Sequence, residues 1–112
     1  MKKVVWEGSS REILGSFPDE VKRDLGTSLM YLQCGALPVD AKPFKTGMAG
    51  TWELRARDSS GQYRAIYVCV VNDVVHVLHC FKKTSAKTAP ADVQLAQGRY
   101  KSLKGRIRLE KS

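Results

Sequence analysis

The sequence predicts an α+β fold in the order β-α-α-β-β-β-α, a small antiparallel-centred sheet with two N-terminal helices and a C-terminal helix. Three observations carry that expectation. Thr51 to Phe81 holds three consecutive β-branched and aromatic segments separated by turn residues. Ahead of them Val21, Leu25, Leu29 and Leu32 recur at spacings of four, four and three, the period of one helix face. Behind them Pro90 precedes a stretch bearing Val93, Leu95, Ala96, Tyr100 and Leu103. At 112 residues the chain is expected to form one domain, 1–112, burying roughly two-thirds of the unfolded surface.

The first strand is expected over Lys3 to Glu7, where Val-Val-Trp lies between charged ends. Ser9 followed three residues later by Glu12 reads as a capping box for a helix whose apolar face is Ile13, Leu14 and Phe17. Pro18 at a first helical position, with Asp19 and Glu20 behind it, opens a second helix that ends near Gly35. Pro38, Pro43, Gly47 and Gly50 make residues 35–50 irregular. The second strand spans about Thr51 to Arg57, and Asp58-Ser59-Ser60-Gly61 is a hairpin turn. The third runs from Gln62 to Val71, Asn72-Asp73 turns the chain, and the fourth covers about Val74 to Phe81. A last helix follows from Ala91 to about Lys104, and the alternating tail Gly105 to Leu109 reads as a short edge strand or a frayed end.

Nineteen Lys and Arg against eleven Asp and Glu leave a net charge of +8, a balance that favours nucleic acid, an anionic membrane surface or an acidic protein. No apolar run is long enough to span a membrane, and the apolar stretch after Met1-Lys2-Lys3 is too short for a signal peptide, so a cytoplasmic location is expected. Cys34, Cys69 and Cys80 form no C-x-x-C pair, and Cys69 and Cys80, inside apolar strand sequence, are expected to be buried.

Cations punctuate the strands: Arg55 and Arg57 on the second, Arg64 on the third, Lys82 and Lys83 ending the fourth. Brought to one surface, they would build a site for a polyanion. Alternation points Trp52, Leu54 and Ala56 one way and Glu53, Arg55 and Arg57 the other, so one sheet face is expected to be solvated. Arg64 shares a face with Ile66, Val68 and Val70, and there it needs an acceptor such as Glu53, a carbonyl or a phosphate. Lys82 and Lys83 alternate, so at most one joins Arg64 while the strand lasts. His76 and His79, three apart, are expected on opposite faces, and with no accompanying ligand cluster no metal site is predicted. His79 suits either a general base or phosphate donor, or a satisfied strand histidine. Phosphate-binding glycine loops and G-x-S-x-G are absent from the sequence.

The run L-H-C-F-K-K-T-S-A-K-T-A-P, preceded by W-E-L-R and Y-R-A-I-Y, resembles the phage-derived, HigB-like branch of the RelE/ParE toxin superfamily of toxin–antitoxin systems. The similarity extends from Val4 to about Leu103, with Ala89 as one residue more than the usual spacing before Pro90. The resemblance implies a single RelE-like toxin domain and a ribosome-dependent endoribonuclease that cuts mRNA in the decoding site without cofactor or metal. It implies Arg57, Arg64, Lys82 and Lys83 as catalytic residues; beside them Arg55, His79, Thr84 and Lys87 are expected as substrate contacts. It also implies a cognate antitoxin, small and DNA-binding, with an acidic contact segment. A gyrase-targeting member of the superfamily and a non-catalytic basic RNA- or DNA-binding module are the rival readings.

Overall fold

A computed structural model describes residues 1–44, 48–70 and 74–111, with side chains to 107. Five strands form one sheet in the order β1-β5-β4-β3-β2. They are β1 (Val4–Trp6), β2 (Lys42–Pro43), β3 (Thr51–Asp58), β4 (Gly61–Val70) and β5 (Val74–Lys83). The three long strands make the expected antiparallel meander, and β1 adds to β5 in parallel. The two-residue β2, within the segment expected to be irregular, pairs only with Trp52 and Glu53. Three helices cover the sheet: α1 (Ser10–Gly15), α2 (Asp19–Gln33) and α3 (Pro90–Lys111). The turn expected at Asn72-Asp73, and Gly47, lie outside the described residues.

On one face α2 and the link from α1 deliver Phe17, Val21, Leu25, Leu29 and Leu32 onto Leu54, Tyr63, Ala65, Tyr67, Val75 and Val77. Leu25 and Val21 are fully buried, which is the dominant stabilisation available to a helix of this length. Gly35, at φ +85, ends α2: its N–H bonds to Leu32 O and that of Ala36 to Tyr31 O, the paired bonds of a Schellman cap.

Five expectations are corrected. Ser9 makes no side-chain cap; its hydroxyl instead accepts from Arg99 Nη2 at 3.1 Å, so the turn is held from α3. Pro18 lies just before α2 with extended ψ 149, as its N-cap. The tail adds no edge strand: α3 continues through it to Lys111. The opposite sheet face is not simply solvated either. There α3 packs Ala96 and Leu103 onto Ile66, Val68, Leu78 and Phe81, because β4 is apolar on both faces. Cys80 is buried as expected, whereas Cys69 is exposed, one alternation step past Tyr67 and beyond the helical cover.

The histidines are corrected by a β-bulge. Ile66 pairs with His79 but Tyr67 pairs with Val77, leaving Leu78 as an extra residue in β5. Alternation resets there, so His76 and His79 both meet the α3 side. Asp92, Arg99 and Arg106 recur every seven residues along α3 and meet them as a polar seam. His79 Nε2 lies 2.8 Å from Asp92 Oδ1, while Arg99 donates to Leu78 O at 2.9 Å and faces His79 Nδ1 at 3.3 Å. Buried Glu7 joins His76 Nδ1, at 2.9 Å, to Arg106. Gly8, at φ +54, runs so close beneath Arg99 that a Cβ would stand 2.5 Å from its Nε.

Burial of Tyr67 and Cys80 has a consequence in alkali. It pushes the phenol from 10.0 to about 12 and the thiol from 9.0 to about 12. Both groups keep protons in the folded chain that the unfolded chain releases. Their contribution is therefore complete below pH 9.0 and is lost as pH rises towards 12. Urea midpoints are expected to fall between about pH 8 and about pH 11, and Tyr67→Phe to remove part of that fall; an unchanged slope in the variant would refute the assignment.

Candidate functional site

The hairpin turn aligns the cations. Asp58 Oδ1 accepts from the Ser60 N–H at 2.8 Å and its hydroxyl at 2.6 Å, which closes a two-residue loop and sets Arg57 opposite Gln62 and Arg55 opposite Arg64. On the other side of β4, Gln62 pairs with Lys83 and Arg64 with Phe81. Two cross-strand rows, Arg57–Gln62–Lys83 and Arg55–Arg64–Phe81, thus share the face that α3 leaves open at this end.

Arg64 is 5% exposed. Its Nη1 donates to Tyr63 O at 3.1 Å and its Nη2 to Gln62 Oε1 at 2.8 Å. Its buried Nε has no hydrogen-bond partner and lies 3.8 Å from Glu53 Oε1. The same carboxylate oxygen takes Arg55 Nε at 2.9 Å and Nη2 at 2.8 Å, so one buried acid anchors one arginine and faces the next. Burial depresses the Arg64 pKa; Glu53 opposes that shift and Arg55 adds to it. The guanidinium stays charged and carries donors that the fold has not used up.

Two openings meet at this row. A cavity of about 540 Å³ is lined by Arg55, Gln62, Arg64, Lys83, Thr84 and Ser85 among others. A larger one, about 800 Å³, follows the outer edge of β3 and shares Arg55, Gln62 and Arg64 with the first, adding Arg57. Lys82 stands on the opposite face, in the row of Tyr63, with its Nζ 5.9 Å from that ring's centroid. His79 is on the open face but buried in the α3 seam, stacked 5.4 Å from Phe81. Lys87 is exposed in the β5–α3 connection, where its carbonyl accepts from Ser85 Oγ. The structure therefore assembles Arg55, Arg57, Arg64, Lys83 and Thr84, and holds Lys82, His79 and Lys87 apart from them.

Gln62 joins the site without standing out in the sequence, although the turn residues contain the signal. Once Asp58 and Gly61 close the loop, residue 62 must stand opposite residue 57. Among the described residues, no three His, Cys, Asp or Glu side chains gather about a point that could hold a metal ion. No described helix is long and apolar enough to cross a membrane.

A family model described as phage-derived protein Gp49-like matches residues 12–101. The fold is that of RelE toxins. The free Escherichia coli toxin RelE superposes with a TM-score of 0.60 at 19% identity, covering 84% of this chain and 97% of that one. A mutant of the same toxin in the free state gives 0.61 at 16%, covering 83% and 95%. A chain of the intact E. coli RelBE toxin–antitoxin complex gives 0.59 at 17%, covering 76% and 100%. No curated protein sequence matches.

Proposed function

Because the chain belongs to the phage-derived Gp49-like protein family, we propose that it is the toxin of a type II toxin–antitoxin pair, acting as a ribosome-dependent endoribonuclease on mRNA in the cytoplasm. The observation that carries the reading is the cavity in which Arg55, Arg64 and Lys83 stand on one open face beside Thr84 and Ser85. Such a cluster suits a phosphodiester whose charge rises during reaction.

The reaction needs no metal. A ribose 2′-OH attacks the adjacent phosphorus, the bond to the 5′-oxygen breaks, and a 2′,3′-cyclic phosphate and a 5′-hydroxyl result. Water takes the proton from O2′, and another is delivered to the departing O5′. Arg64, whose planar fork matches two phosphate oxygens, stabilises the phosphorane with Arg55, and Lys83 supplies the donor at the departing oxygen. Among the described residues no carboxylate lines this cavity, so its chief contribution is electrostatic, with in-line geometry imposed by the ribosome-held strand. The partner is an antitoxin whose acidic segment is drawn to a chain of net charge +8.

Purified protein added to mRNA-programmed ribosomes is expected to yield discrete new 3′ ends that carry cyclic phosphate. Retention of RNA without cutting would establish a binding module instead, and gyrase-dependent DNA breaks in induced cells would establish the gyrase-targeting alternative.

A further inference from the structure

The larger cavity has walls of different chemistry. One is cationic, formed by Arg55, Arg57 and Arg64. The other is built by α2 and the loop after it: the ring of Tyr31, half exposed, beside Pro38 and Val39, with the carboxylates of Asp24 and Asp40. It opens along β3 beyond the short β2, which among the described residues pairs with β3 at Trp52 and Glu53 and not further along towards Arg55 and Arg57. A volume of about 800 Å³ falls within the roughly 300–1,000 Å³ of small-ligand sites.

Resting on the nuclease reading above, we infer that this edge cavity is a nucleobase subsite, which takes an unstacked base flanking the scissile phosphate and favours one that carries an exocyclic amino group. Continuity supports this. Arg55, Gln62 and Arg64 line both cavities, so one nucleotide can lay its phosphate on the arginines and its base towards Tyr31. A splayed base gains by stacking on an aromatic ring and by hydrogen bonding along its edge, the usual way single-stranded RNA is read.

The acids supply selectivity. Among the described residues neither Asp24 nor Asp40 makes a hydrogen bond or ion pair, so both offer free acceptor oxygens. Cytosine, adenine and guanine present an exocyclic amino group to such an acceptor, whereas uracil has none and offers only its N3–H, between two carbonyl oxygens that the carboxylates repel. The same acids disfavour an acidic peptide as occupant, although the arginines alone would attract one.

The test uses programmed ribosomes carrying mRNAs that differ only in the bases flanking the cut, with wild type, Tyr31→Ala and the double variant Asp24→Asn/Asp40→Asn. All three positions are exposed, so folding should survive, and a thermal melt verifies it. Wild type is expected to cut uridine-flanked sites roughly tenfold more slowly than the others. The double variant should cut all four at comparable rates, and Tyr31→Ala should lose roughly tenfold on every mRNA. If wild type cuts but both variants keep its rates and site profile, the subsite is overturned while the nuclease reading stands. It is overturned equally if the profile is unchanged and the variants instead lose affinity for an alternating Glu-Leu peptide, which would make the cavity a protein-docking groove. If wild type cuts none of the mRNAs, both proposals fall.

Discussion

Arg64→Ala is expected to keep the fold and lose at least about 100-fold in mRNA cutting, the scale at which removal of one preorganised donor to a developing anion is felt. The fold is expected to tolerate the change because Glu53 remains engaged by Arg55 at 2.8 and 2.9 Å, so no buried carboxylate is orphaned. Arg64→Lys should recover only a small part of the loss, since an ammonium cannot fork across two oxygens. Single-turnover cutting on programmed ribosomes measures the effect, and growth arrest on induction reports it in cells. A folded Arg64→Ala protein that cuts at the wild-type rate would remove the guanidinium from the mechanism.

Glu53→Ala is expected to be the most destabilising exchange at the site. Glu53 is 6% exposed and is the one acid against which two arginines are set at opposed register positions, Arg55 and Arg64. Removing it leaves a buried guanidinium without counter-charge and frees Arg55 from its anchor. Breaking a buried pair from one side costs about 3–5 kcal/mol, and the 3.8 Å separation from Arg64 puts this case near the lower figure. Urea midpoints measure it. The double variant Glu53→Ala/Arg64→Ala should be more stable than Glu53→Ala alone, because the uncompensated charge goes with its carrier. Equal stability of the two would mean that the carboxylate does not offset the burial of Arg64. Activity should also fall in Glu53→Ala, as Arg55 and Arg64 lose their fixed spacing.

The meander and the α1–α2 layer were legible because each rests on a local period: two in Thr51 to Arg57, between three and four in Val21 to Leu32. The need of Arg64 for an acceptor was legible too: Tyr63 O and Gln62 Oε1 accept from it, and Glu53 stands 3.8 Å away as counter-charge. What eluded the sequence depends on partners far along the chain. Ser9 resembles a cap until Arg99, ninety positions later, takes its hydroxyl. The tail alternates like a strand, yet apolar Leu103 and Ile107 face the sheet as a helix and Arg106 reaches Glu7. Which of Lys82 and Lys83 joins Arg64 is decided by β4–β5 register, and the edge cavity by how soon β2 stops. Neither quantity is written in any short stretch.

The extra residue at Leu78 turns the inward or outward facing of β5 into a matter of parity. Upstream, Val75 and Val77 serve the α1–α2 layer; downstream, Cys80 serves it while Phe81 and Lys83 serve the other face. Removing one leucine would invert one half of that code, carrying either the valines into the wrong layer or Lys83 away from Arg64. Exchange of Leu78 for another apolar residue leaves the count intact. Along this strand the number of residues is therefore under tighter constraint than their identity, and relatives aligned without respecting it would have their lysines assigned to the wrong side of the sheet.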